Sequence, residues 1–356
     1  MTLHRFIGEA LSEWMKGNGP DSDIVISSRV RLARNVQEYP YPMLATTHQS
    51  EEILVLISKV LKNEELHRIS RFSWVSLAQL NELEKMILVE KHLISPSLAN
   101  ESKNGAVILN ENQSISIMIN EEDHIRIQCL SAGFQLHETW EQANRVDDIF
   151  ESQLNYGYDE KKGFLTCCPT NVGTGIRASV MMHLPALVFT QQINRILTAV
   201  SQVGLTVRGL YGEGSEALGN LFQVSNQITL GQTEQEIIEN LHRVAKQIIE
   251  HERSARKKLL QDSPMRIIDR VNRSMGILSY AGIIDSKEAA QRLSDVRLGV
   301  DLEIIKHGSA QILNELLVMT QPGFLQQMSG EKLSADNRDI RRAQFIREKI
   351  SKMNTT

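Results

Sequence analysis

Apolar and polar positions change their period along the chain. Between residues 3 and 16, Leu3, Phe6, Ile7, Ala10, Leu11 and Trp14 recur at helical spacing, and Gly17-Asn18-Gly19-Pro20 closes the segment. Over 24–35 the period drops to two. Ile26, Ser28, Val30 and Leu32 alternate with Ser27, Arg29 and Arg31, as in a strand with arginines on one face. Helical patterns return at 49–68 and 77–93; His92, closing the second, reads first as a solvated C-terminal residue. Alternation at 114–119 and 124–128, around Asn120-Glu121-Glu122-Asp123, predicts a hairpin. Glu122, His124, Arg126 and Gln128 fall on one side of it, Ile125 and Ile127 on the other. A helix over 135–154 follows, then a loop through Gly157 and Gly163. Next come a helix from about Pro185 to Val203, a short strand at 205–208 and a strand at 221–230. From Thr233 the pattern is almost wholly helical, at 233–260, 265–280, 286–297, 301–319 and 336–352. A boundary near 255–262 gives a linker region at 1–23, a mixed region at 24–255 and a helical region at 256–356.

The stretch Thr166–Met182, T-C-C-P-T-N-V-G-T-G-I-R-A-S-V-M-M, reads as a tight glycine loop running into a strand. Gly173 and Gly175 allow backbone geometry that a Cβ resists, and they let the main chain approach a ligand. In an extended run Arg177 shares a face with Ser179, while Ile176, Ala178 and Val180 take the other. Taken alone, this is a structural turn with a surface arginine. A second glycine-rich loop, 209–219, follows Arg208 and contains G-x-G-x-x-A. The dinucleotide motif requires a helix next, and the strand-like run from Leu221 to Leu230 argues against it.

The 356 residues are 41% hydrophobic and 23% charged, enough for a large core and more than one domain. A net charge of −4 argues against nucleic acid as a partner, so any basic site has to be local. Cys129, Cys167 and Cys168 make neither a disulfide framework nor a zinc pattern. Glu9 and Glu13 interrupt the first apolar stretch, so no signal peptide is read, and no run reaches the ~20 apolar residues of a membrane helix. A cytoplasmic location is expected.

Arg29, Arg31, Arg126, Arg177 and Arg208 all sit on strands or at strand–loop junctions. A mostly antiparallel sheet brings them onto one surface, where an anion has to offset their repulsion. A nucleotide triphosphate does so, with Mg²⁺ bridging its phosphates. Glu122 and Glu213, at the edge of that surface, suit a cationic acceptor that must lose a proton before attacking. The chemistry is phosphoryl transfer. The P-loop, H-R-D and D-F-G signatures are absent.

S-S-R-V-R at 27–31, N-E-E-D-H-I-R at 120–126, C-P-T-N-V-G-T-G-I-R at 168–177 and the arginine-led glycine loop at 208–214 resemble the guanidino (phosphagen) kinase family, in its order and over about 24–254. The resemblance implies an α+β fold, an antiparallel sheet flanked by helices. It implies that nucleotide is bound along Ser27, Ser28, Arg29, Val30 and Arg31, and at His92 and Arg126. The remaining contacts implied are Arg177, Ala178, Ser179, Val180 and Met181, then Arg208, Gly209, Leu210, Tyr211 and Gly212. Glu122 maps onto the family's base and Cys168 onto its reactive cysteine.

Metabolic members carry a helical domain before S-S-R-V-R, where this chain has about two dozen residues. A site left open in that way suits an arginine on a protein, and Glu213 supplies a second carboxylate. These features are similar to the bacterial protein-arginine kinase branch. So is Arg338-Asp339-Ile340-Arg341-Arg342-Ala343, which matches R-D-x-x-R-A; by spacing alone it is a solvated basic helix face. The branch implies a helical C-terminal domain that forms a homodimer and binds phosphoarginine allosterically through Arg338, Asp339, Arg341, Arg342 and Ala343. It also implies protein substrates that include a heat-shock repressor, a zinc-binding activator protein, and a Clp ATPase/protease. No membrane or direct nucleic-acid partner is expected. The competing functions are a kinase for a free guanidino metabolite and a phosphoarginine-binding adaptor.

Overall fold

The computed structural model describes residues 3–8, 12–209, 218–306, 308 and 310–353. Its first part runs α1 (Leu3–Gly8), β1 (Val25–Arg34), α2 (Thr47–Val60), α3 (Glu64–Ile69), β2 (Phe72–Ser76), α4 (Glu82–Glu90), α5 (Pro96–Asn100), β3 (Ala106–Asn110), β4 (Ile115–Ile119), β5 (Ile125–Ala132) and α6 (Leu136–Glu151). A small hairpin, β6 (Tyr158–Asp159) and β7 (Gly163–Phe164), leads to β8 (Ile176–His183), α7 (Pro185–Phe189), α8 (Ile193–Gln202), β9 (Leu205–Gly209) and β10 (Leu221–Asn226). Helices complete the chain: α9 (Glu234–Asp262), α10 (Pro264–Tyr280), α11 (Ser286–Asp301), α12 (Ala310–Met319), α13 (Pro322–Ser329) and α14 (Ala335–Met353).

Among the described residues eight strands form one antiparallel sheet, in the order β2-β3-β4-β5-β1-β8-β10-β9. One face is mostly apolar. Val30 and Leu32 of β1, Ile127 and Cys129 of β5, and Ala178 and Val180 of β8 pack there against α2, α6 and α9. Arg34 also lies on this side. Its guanidinium pairs with Asp147 of α6 at 2.7 Å and Glu234 of α9 at 3.2 Å, and stacks 3.7 Å from the Phe164 ring. A buried cation needs such partners, and here they tie β1 to two helices.

The other face is only partly covered. Over β2, β3 and β4, α4 and α5 pack on Val75, Val107, Leu109 and Met118. At the far end of the central strands Trp14, Met15, Ile87 and Phe324 cover Ile26, Leu130, Met181 and Leu221. The middle is left open.

Several elements differ from their sequence patterns, each for a local reason. The segment 3–16 is not one helix: Ser12 is extended (φ −91, ψ 162) and begins a 3-10 turn at Glu13–Met15. A bulge between Val25 and Ser27 turns Ile26 away from the face of Val30 and Leu32. Gln191, with φ 58, divides 185–203 into α7 and α8. Glu303, with φ 58, ends the helical run that 301–319 suggests, and α12 starts only at Ala310. Strands β2 and β3 and helix α13 carry no signal of period; α13 does have Pro322 in its first turn and left-handed Gly330 just past its end, the usual helix punctuation.

Candidate active site

The register of the ladder settles which side chains share the open face. Arg31 of β1 is the direct partner of Arg177 of β8, Arg29 is the partner of Ser179, and Ala33 is the partner of Arg126 of β5. Across β10, Gln223 pairs with Met181 on one side and Arg208 of β9 on the other. Alternation therefore sends Arg29, Arg31, Arg126, Arg177 and Arg208 to the same face. Arg31, Arg126, Arg177 and Arg208 line a cleft of about 670 Å³ together with Glu122, Cys168, Thr170 and Asn171. Val30, Ala178 and Val180, expected along the nucleotide, turn their side chains to the opposite core. Ser28 also serves that side, donating Oγ–H to Gly133 O and accepting from Gln135 N.

Arg29 and Arg177 donate to neutral partners. Arg29 Nε donates to Ser179 Oγ at 3.3 Å, and its Nη2 donates to Gln223 Oε1 at 3.0 Å. Arg177 donates to Asn226 O at 2.9 Å and to Asn171 Oδ1 at 3.2 Å. Arg31 Nε is buried and has no hydrogen-bond partner among the described residues. Burial, then the charge of Arg126, pushes Arg29 down to about 10; burial and the neighbouring arginines push Arg31 well below its usual range. Arg29 and Arg31 are cations short of anions, and a polyphosphate fits them.

Arg126 has charged partners, because the acidic turn beside it supplies two carboxylates. Its Nη2 donates to Glu122 Oε2 at 3.0 Å, and Nη1 pairs with Glu121. Glu121 is a residue whose part the motif spacing did not distinguish. Its side chain is buried and also accepts from Ser95 Oγ, and burial pushes its carboxyl up. Glu122 stands half-exposed at the junction of the arginine cleft with a second cleft.

Asp123 and His124 hold this turn in place. Asp123 Oδ1 accepts from Asn35 Nδ2 and from Cys167 N, both at 2.7 Å. His124 Nδ1 accepts from Val36 N at 3.1 Å, so the proton sits on Nε2 and is donated to Pro40 O at 3.0 Å. Burial lowers this imidazole to about 4, which keeps it neutral. His124 is thus a bracket for the 35–40 segment rather than a member of the charged cluster. Cys168 Sγ lies 3.1 Å from Thr170 Oγ1 and lines both clefts, while Cys129 is buried in the core.

His92 is not solvated as its place after a helix suggests. It adopts φ 58, lies edge-on to Trp14 with ring centroids 5.3 Å apart, and accepts at its carbonyl from Gln128. Burial and the charge of Arg29 bring its imidazole down to about 4. With Ser27, Arg29, Ser179 and Met181 it lines a small recess at the end of the arginine face. Gly173 and Gly175 also differ from expectation. The close approach they permit is to the protein's own chain: a Cβ on Gly173 would meet Thr229 O at 2.4 Å, and one on Gly175 would meet Ala33 O at 2.6 Å. Leu210, Tyr211, Gly212 and Glu213 lie outside the described residues.

In the C-terminal helices Arg342 of α14 is buried. It donates to Thr320 O and Ile284 O at 3.0 Å and pairs with Asp339. It is a structural cation and Ala343 is a core residue, so neither belongs to a solvated basic face. Arg338 and Arg341 are half-buried. Arg338 donates to Leu333 O, and Arg341 Nε has no partner among the described residues.

Comparison with known proteins agrees with this geometry. The ATP:guanido phosphotransferase C-terminal catalytic domain family matches residues 52–255, and the protein-arginine kinase McsB C-terminal domain family matches 264–356. Among solved structures, lombricine kinase superposes with a TM-score of 0.58 at 24% identity, over 67% of this chain and 68% of that one. At that identity the likeness concerns the fold. Proteins named protein-arginine kinase from Brevibacillus brevis and Halalkalibacterium halodurans are 60% and 59% identical, each over 98% of both chains. The chain belongs to the protein-arginine kinase family within the ATP:guanido phosphotransferases.

Proposed function

We propose that this protein transfers the γ-phosphoryl group of ATP to the guanidinium of an arginine side chain in a protein. The observation that carries the reading is the junction at Glu122: four arginines, among them the buried Arg31, line the cleft on one side, and carboxylates line the cleft on the other. The relatives named protein-arginine kinase support the choice of acceptor.

In this reading Arg29, Arg31, Arg126, Arg177 and Arg208 take the phosphates and stabilise charge on the transferring group. Glu122 removes a proton from the guanidinium. The freed nitrogen forms the N–P bond as the bond from Pγ to the bridging oxygen breaks, and ADP leaves with that electron pair. Glu213 serves as a second carboxylate for the cation, and Cys168 bounds the acceptor nitrogen. Mg²⁺ travels with the nucleotide; among the described residues no cluster of His, Cys, Asp or Glu is built to hold a metal.

The regulatory proposal places phosphoarginine at Arg338, Asp339 and Arg341 in a homodimer. Resemblance to the branch supports further proposals: cytoplasmic work on a heat-shock repressor, a zinc-binding activator protein, and delivery of marked proteins to a Clp ATPase/protease. Mass spectrometry after incubation with ATP, Mg²⁺ and an arginine-rich protein tests the central claim, with free arginine as the competing acceptor. An acid-labile phosphate on arginine side chains is expected. Phosphorylation of free arginine alone would overturn the reading.

A further inference from the structure

Past Glu122 and Cys168 the arginine cleft continues into a second cleft of about 410 Å³, bordered by Met43, Glu101 and Asn120. We propose that this second cleft seats the acceptor polypeptide beside its target arginine, with Met43 and Leu44 receiving an apolar side chain next to that arginine. This rests on the phosphotransfer reading and adds a sequence preference to it.

The turn that carries both residues is pinned by the catalytic motif. His124 donates Nε2–H to Pro40 O, Leu44 N and Ala45 N donate to Tyr41 O at 2.8 and 3.0 Å, and Cys167 Sγ lies 3.4 Å from Met43 Sδ. Yet Met43 and Leu44 are 74% and 71% exposed. Two adjacent large apolar side chains, held in water on a fixed turn with Met43 on the border of the cleft and Leu44 next to it in the chain, mark a surface that another chain covers. Glu101 and Glu122 border the same cleft, so the cation is drawn to one wall while its neighbour meets the apolar lip. A free amino acid engages only the first wall. An extended polypeptide engages both.

The test is steady-state kinetics of the full chain with ATP, Mg²⁺ and two acceptor peptides, one with glycine and one with leucine on both sides of a single arginine. The wild type is expected to favour the leucine-flanked peptide about tenfold in kcat/KM, the effect of partly burying one apolar side chain. The double variant Met43→Ser/Leu44→Ser is expected to abolish the preference while keeping the wild-type rate on the glycine peptide and the wild-type KM for ATP. Leu44→Ser alone, which leaves the Cys167 contact in place, is expected to reduce it. Equal kcat/KM for the two peptides in the wild type, or a preference that survives in the double variant, overturns the proposal alone. Phosphorylation of free arginine and of neither peptide overturns the functional reading, and this proposal with it.

Discussion

Arg31 and Arg177 are direct partners across the β1–β8 ladder. Like charges so placed repel, and burial adds to the cost of Arg31. The sheet is therefore less stable here than it need be, in a form that an anion relieves. Arg31→Met is expected to raise the thermal midpoint without nucleotide by about 2–4 °C and to lower kcat/KM by about 10²–10³-fold. Calorimetry and steady-state kinetics check the two halves, and a variant that keeps full activity would contradict the assignment.

Glu122 accepts from Arg126 while facing the second cleft. Glu122→Gln keeps the shape and one hydrogen bond but takes no proton at neutral pH. Its kcat is expected to fall by about 10²–10⁴-fold with an unchanged KM for ATP. Initial rates over a range of ATP separate these parameters, and an undiminished kcat would remove Glu122 as the base.

Gly175 has φ +67 with Ala33 O and Arg34 Nη1 both 2.6 Å from where a Cβ would sit. Gly175→Ala is expected to lose more than about 2 kcal/mol, since neither the carbonyl nor the buried guanidinium can give way. Gly276→Ala, inside α10 with nothing within 4 Å, is expected to gain up to about 1 kcal/mol. Urea unfolding of both variants measures the contrast.

The arginine face is legible in the sequence because β1, β5 and β8 each keep one polar side, so period two survives in their residues. Strand β3, Ala106–Asn110, is buried on both sides and presents an unbroken apolar run from Ala106 to Leu109, which alternation cannot detect. The turn around Glu122 is legible as acidic, but its bracketing is not: Val36 and His124 meet across 88 positions. Nor does spacing distinguish Arg338 from Arg342. Which cation of a helix turns inward depends on the carbonyls of Thr320 and Ile284, supplied by other segments.

Glu90 at the end of α4 accepts from the Gly323 and Phe324 N–H groups at 2.7 and 3.2 Å, in the first turn of α13. Burial pushes its carboxyl from 4.5 up to about 7. The folded state thus holds the proton more tightly than the unfolded chain. The resulting stability is complete below pH 4.5 and is lost as pH rises through 7. Measured against the non-titrating Glu90→Gln, the wild type is expected to lose on the order of 2–3 kcal/mol between about pH 5 and 8. Parallel unfolding series check this, and a flat difference would contradict it.

Arg342 is fully engaged inside the helical region and Arg341 is not. Arg342→Ala is expected to destabilise that region by about 3–5 kcal/mol. Arg341→Ala is expected to leave the unfolding midpoint nearly unchanged and to weaken binding of a phosphoarginine peptide at least about tenfold. Calorimetry and titration of the peptide read the two effects.

Helix α9 is 29 residues long, and so about 43 Å from end to end. Its early turns lie under the sheet with Arg34 bonded to Glu234, and its later turns carry Glu252, which holds α7 by two N–H groups, and Arg256, which reaches Asp301 of α11. One unbroken rod thus has a hand in both ends of the molecule. Separating the two halves at a point within it would leave each with the stump of a shared axle.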